Sequence, residues 1–275
     1  MSQSIHDSLD AIDPGETTGF NGARLAATVL LLRDTAEGLR VWIQERVRTM
    51  RNYPGHVVFP GGGVDPRDLS PCAGASGELW AGRSVVSMAR RMGVTKYKAH
   101  ALVFAAAREL FEEAGTLLAI REDGLVSDAS RYHRERELLE SHEISFTEFL
   151  EHNGMRVDAD MFLPWSRWAG EDNNHWFDTF FFIGVLPDGQ EPDGETGEAD
   201  DAGWFDPQLV LDGWRAGLVR LAIPTWAQLK RLTSYSSVKE VLDDASFSDL
   251  RPIIGDPRDD ERYREYFTTF PVNRI

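Results

Sequence analysis

The chain is 275 residues long, 42% hydrophobic and 27% charged, enough apolar material for a substantial core in one domain with an insertion or in two small lobes. Its net charge of −16 excludes a surface built to neutralise nucleic-acid phosphates, but not a small anion that arrives as a metal complex. A single cysteine, Cys72, excludes internal disulfides and cysteine zinc clusters; no apolar run approaches the roughly 18 residues of a membrane span and no leader is visible, so a cytoplasmic protein without membrane partners is expected.

Residues 1–20 are polar, contain Asp13-Pro14-Gly15 and lack periodicity, so they read as a loosely ordered lead-in to a domain over 21–245. Residues 26–32 and 39–47 are predicted strands joined by a polar turn over 34–38, and the first is apolar enough to be buried on both faces. A strand ending at Phe59 runs into a glycine loop of Gly61, Gly62 and Gly63. After a turn-rich stretch over 69–82, residues 84–92 read as a helix capped by Ser84 and stopped by Gly93. The spacing of Ala99, Leu102, Val103, Ala106, Ala107, Leu110 and Phe111 then predicts a helix over 98–114, with Gly115 as its left-handed stop.

Residues 121–152 read as a charged helical hairpin whose second helix opens at Ser145, and 162–168 and 176–185 as a strand pair across a turn at 171–174. The stretch 187–201 is a mobile acidic loop by composition, closed by Trp204-Phe205-Asp206-Pro207. Helices are expected over 207–216 and, behind Pro224, over 225–231. The polar tail from Ser246 is predicted to pack as extended chain, a C-terminal extension over 246–275.

In the run Arg108-Glu109-Leu110-Phe111-Glu112-Glu113-Ala114-Gly115 the glutamates stand at i, i+3 and i+4, and at roughly 100° per residue they share one face. Like charges there repel by a few tenths of a kcal/mol per pair, so a solvent-directed acidic face asks for an external hard cation, unless it is simply a solvated surface. Ala105 and Ala106, about one turn earlier, are small enough to leave room above that face, or serve helix propensity alone.

Segments 56–68 and 108–115 together resemble the signature of the Nudix hydrolases, a glycine followed by an acid and then R-E-x-x-E-E-x-G. Gly62 and Asp68 fit the first half, and Arg108 to Gly115 the second. Asp68 replaces the usual Glu, Thr116 replaces an aliphatic residue, and residues 69–107 stand where the family has a short spacer. The coenzyme A diphosphatase branch is more similar, because it carries Asp there and an upstream motif with which Arg46, Met50, Gly55, Phe59, Pro60, Gly61, Gly62, Asp65 and Asp68 align, while Val47 and Tyr53 replace its Ser and His. Its type 19 subgroup also has an insertion inside the box, and Phe177-Asp178-Thr179-Phe180-Phe181 and Pro224-Thr225-Trp226 are similar to further segments of it. His175 and Trp176 depart from that subgroup, which has a basic residue before Phe-Asp-Thr.

The resemblance implies an α/β fold, the α/β/α sandwich with a mixed β-sheet, in which the 69–107 insertion adds helix beside the box helix. It implies hydrolysis of a diphosphate linkage, with Mg²⁺ or Mn²⁺, in coenzyme A or acyl-coenzyme A; the alternatives are ADP-ribose, NADH, a dinucleoside polyphosphate, or a nucleotide-binding regulator that does not cleave. By position in the box, Glu109 and Glu113 would ligate the metal, Glu112 directly or through water, and Gly61 through its carbonyl. Arg108 would orient a carboxylate, Asp68 would support the loop-to-helix geometry, and a box glutamate or Glu198, with Glu195 as its rival, would be the base. Arg46, Arg48, Arg51, Gly62, Gly63 and Asp68 are candidates for the substrate side. Trp165, Trp168 and Trp176 offer stacking surfaces, although eight tryptophans in one chain more often build core. A small-molecule nucleotide is the expected partner, and a homodimer the default assembly.

Overall fold

The computed structural model describes residues 18–47, 55–68, 79–172, 175–196 and 199–269. Most of the N-terminal lead-in and Cys72 lie outside them.

Strands β1 (Arg24–Thr35) and β2 (Gly38–Arg46) pair antiparallel across the predicted turn, with Leu32 opposite Val41. β3 (Val57–Val58) pairs with β2, and β4 (Gly61–Gly63) lies antiparallel on β1 with Thr28 opposite Gly61 and Ala26 opposite Gly63. The expected glycine loop is therefore a strand without side chains. The insertion contributes β5 (Trp80–Ala81) and α1 (Val85–Met92), capped by Ser84 and ended by left-handed Gly93. The box helix, α2 (Lys96–Ala114), starts at the Thr95 cap and stops at Gly115, whose φ of 61° only glycine adopts cheaply.

Beyond it come β6 (Ala119–Arg121), β7 (Gly124–Leu125), α3 (His133–Glu140), α4 (Phe146–His152) and β8 (Arg156–Asp158). The expected helical hairpin thus forms only from His133 onward. Gly124, at φ 119°, reverses the chain before it into a β6–β7 hairpin instead. These short strands form a second sheet in the order β5-β8-β6-β7.

The chain closes with β9 (Leu163–Asp172), β10 (His175–Val185), β11 (Ala199–Phe205), α5 (Pro207–Arg215), α6 (Ile223–Leu232), α7 (Val238–Ala245), β12 (Ile253–Ile254) and α8 (Arg264–Thr268). The main sheet runs β11-β2-β1-β10-β9-β12 and is mixed, with β1 parallel to β10 and β9 antiparallel to it.

Alternation along β1 splits the core in two. Leu25, Ala27, Val29 and Leu31 pack with α2 and the insertion on one face, whereas Leu30 and Leu32 pack with Trp214, Trp226 and Val241 of α5, α6 and α7 on the other. This is the expected α/β/α sandwich. Because α1 and α4 also cover it, every residue of α2 except Lys96, Tyr97, Lys98 and Glu109 is buried. Ala105 and Ala106 are wholly buried in that core and leave no room above an acidic face.

Two loop expectations change. Of the stretch 187–201, the described residues 187–196 are tied down: the buried Gln190 amide donates to the Leu117 and Val126 carbonyls, its oxygen accepts from the Leu117 N–H, and Asp193 pairs with Arg136. The tail does not merely lie on the surface, since β12 adds to the sheet edge and Tyr263 and Tyr266 are buried in the second core cluster.

Candidate active site

β4 is held at the N-terminal half of β1 by alternate main-chain bonds, Val29 N–H to Pro60 O and Val64 N–H to Leu25 O, each 2.9 Å. In an antiparallel ladder the residues between such pairs turn their main-chain groups outward, so Gly61 and Gly63 face away from β1. Both are met by side chains of α2. Glu113 Oε2 accepts from Gly61 N–H and from Gln44 Nε2, both at 2.8 Å, and Gly63 O accepts from Arg108 Nη2 at 2.8 Å. The two halves of the split box therefore fold onto each other despite the insertion.

Arg108 is the hub of this closure. Its Nε and Nη2 donate to Asp68 at 3.0 and 3.1 Å, and its Nη1 to Glu109 Oε1 at 2.8 Å and Glu112 Oε2 at 3.0 Å. Burial works against the guanidinium charge, but the Glu109 and Asp68 carboxylates overcome that and hold its pKa above the ordinary arginine value. The trio is thus not solvent-directed, as its spacing suggested. Glu112 is 7% and Glu113 3% exposed, and a cation already stands among the acids, one residue before Glu109.

Asp68 is buried and aimed at Arg108 and the Asp65 N–H, so it braces the turn and does not face a substrate cleft. Behind it, His100 donates to the Asp68 main chain while stacking on Phe104 at 4.0 Å and on Trp80 of the insertion at 5.5 Å. Burial pushes this imidazole down to about 4, so it is neutral at physiological pH. His100, Gln44 and Arg136, whose Nε donates to Glu112 O at 2.9 Å, escaped the sequence reading. Only His100 left a trace there, as an i, i+4 aromatic pair with Phe104.

Gly62 is needed for a different reason. A Cβ there would lie 2.6 Å from Glu109 Cδ, so the glutamate carboxylate rests against bare backbone. At Gly61 a Cβ would meet Ala27 O at 2.5 Å. Gly62→Ala is expected to displace Glu109 and cut turnover at least tenfold while the melting temperature changes little, because a side-chain end can yield. Gly61→Ala should lower the melting temperature clearly, because backbone cannot; parallel melting curves and rates check both.

The Glu112 carboxyl is pushed up to about 8, by burial first and by the Glu109 charge, against the pull of Arg108. A carboxyl with a raised folded-state pKa binds its proton more tightly folded than unfolded, so stability falls as pH rises between 4.5 and about 8. Metal-free protein should lose stability across that window in urea titrations, and Glu112→Gln should flatten the slope. An equal slope in the variant would assign it elsewhere.

On the opposite face of the sheet from α2, a cavity of about 710 Å³ is lined by Gly61, Gly62, Gly63, Arg46, Trp168 and Trp176 among others. Trp165 is instead buried, with Arg231 over its ring at 3.3 Å, and offers no stacking surface. Arg48, Arg51 and Glu198 lie outside the described residues, and Glu195 is exposed on the tied-down loop.

An α/β/α sandwich whose glycine strand is clamped to a glutamate-bearing helix is the arrangement that the resemblance to the Nudix hydrolases implies. No family model matches the chain. Over 218 residues, 79% of its length, it is 27% identical to the Caenorhabditis elegans protein named "Putative nudix hydrolase 7", and it spans 62% of that protein. The crystal structure of a NUDIX hydrolase from Alicyclobacillus acidocaldarius is similar with a TM-score of 0.65 and 26% identity, over 82% of this chain and 97% of that one. In both sequence and fold the chain is thus similar to Nudix hydrolases.

Proposed function

We propose that the protein hydrolyses the diphosphate linkage of a nucleoside diphosphate derivative, with coenzyme A or acyl-coenzyme A as the substrate. The observation that carries this reading is the closure of the split box, Gly61 N–H on Glu113 and Gly63 O on Arg108. The upstream residues shared with the coenzyme A branch support the substrate, and Arg46, on the cavity wall, is one of them.

The donor set is all oxygen, which suits Mg²⁺ or Mn²⁺. Among the described residues no three His, Cys, Asp or Glu side chains form a ready cage, yet Glu112 Oε1 is a buried acceptor without a hydrogen-bond partner, a cost that a cation would remove. Glu109, Glu112, Glu113 and the Gly61 carbonyl would hold it. When bound, the ion neutralises phosphate charge and acidifies a water. Arg108 keeps Glu109 and Glu112 on one side of the helix, Gln44 fixes Glu113, and the bare glycine strand leaves room for the diphosphate. Glu112 is the nearer candidate to take a proton from the attacking water, and Glu198 the distal one.

The test is purified protein with Mg²⁺ or Mn²⁺ against coenzyme A, acyl-coenzyme A, ADP-ribose, NADH and diadenosine polyphosphates. Release of 3′,5′-ADP from the first two is expected. Turnover of another substrate alone would move the specificity, and turnover of none would favour a binding module.

A further inference from the structure

The cavity across the sheet from α2 has a wall that the sequence did not announce. Gly255, with φ 58°, turns the tail after β12 so that Asp256, Arg258, Tyr266 and Phe267 line it. Arg258 lies 4.9 Å from the Phe267 ring centre and pairs with Asp256 at 3.1 Å. Facing the same space is Trp176, 42% exposed, whereas Trp165, Trp168, Trp214 and Trp226 are buried. An indole left open to water forfeits hydrophobic stabilisation, and here it does so on the wall of a cavity that Arg258 also lines.

The floor of the cavity is the glycine strand. Its outer edge meets Arg108 and Glu113, and its face borders the cavity, so the two spaces are one side-chain-free strand apart. β4 itself puts no side chain between them.

We propose that this cavity is a nucleoside site, in which a purine base stacks on Trp176 and Arg258 of the tail takes a phosphate carried on the ribose. The diphosphate then passes over Gly61 and Gly62 to the carboxylates, a step that rests on the function proposed above. The chemistry of the walls selects this ligand. Aromatic faces stack any base and hold the larger purine rings best, and the volume suits a nucleotide-sized ligand. Asp256 and Glu171 also line the cavity, and Asp256, being solvent-exposed, pairs only weakly with Arg258, so an arriving phosphate can replace it.

Equilibrium binding in EDTA, followed by tryptophan fluorescence and calorimetry, tests the site without turnover. The probes are 3′,5′-ADP and 5′-AMP, against wild type, Trp176→Ala and Arg258→Ala. Wild type should bind both and prefer 3′,5′-ADP. Trp176→Ala should weaken both about tenfold, and Arg258→Ala should erase the preference while leaving 5′-AMP unchanged. Both residues are solvent-accessible, and unchanged melting curves would verify that the variants fold. Wild-type affinity in Trp176→Ala, or no binding by wild type, would overturn the site; a preference kept in Arg258→Ala would overturn the phosphate assignment. Binding without hydrolysis of any substrate would defeat only the proposed activity, and hydrolysis with an unaltered KM in Trp176→Ala only this site.

Discussion

Arg108→Ala should destabilise the protein by about 3–5 kcal/mol, the range for removing one partner of a buried ion pair. The guanidinium reaches Asp68, Glu109, Glu112 and the Gly63 carbonyl, and its loss leaves Asp68, 1% exposed, without its hydrogen-bonded ion-pair partner. Arg108→Lys should recover only part of this, because a point charge cannot serve acceptors on several sides as the planar fork does. Urea unfolding checks it: the midpoint should fall with little change in slope. A midpoint equal to that of wild type would show that Arg108 does not hold the box together.

The second large effect falls on rate. Glu113→Gln should lower kcat by about three orders of magnitude, since under the proposed function Glu113 is an anionic metal ligand whose loss would remove several kcal/mol of charge stabilisation at the reacting phosphates. Folding should survive, for a reason other than exposure. The glutamine oxygen can still accept from Gly61 N–H and Gln44 Nε2, so the buried donors keep a partner. Steady-state rates with Mg²⁺ beside a melting curve separate the two readouts. Wild-type turnover would remove Glu113 from the chemistry.

Features that span a few residues were legible in the chain. Ser84 and Gly93 bound one helix and Gly115 ends another because capping and left-handed stops act within a turn. The apolar run of β1 and the hairpin pattern of β9 and β10 were legible too, since a strand covered on both faces is apolar at consecutive positions and a hairpin joins neighbours in sequence. The tail was misread for the complementary reason. Tyr263, Tyr266 and Phe267 stand among polar neighbours, and only the cavity and the second core cluster give those rings a place.

The box shows where the division falls. Spacing within α2 put the three glutamates on one face, because helix pitch is a local property. Whether that face meets water depends on what covers it. The folded chain brings Asp68, Gln44 and the glycine strand to Arg108 and Glu113 from 40, 69 and 52 residues away, the first to Arg108 and the others to Glu113. No periodicity records contacts at such separations, since they arise only when independently formed elements pack. The helix, its caps and its charges were therefore in the sequence, while their burial, their arginine hub and the cavity beyond them come from packing alone.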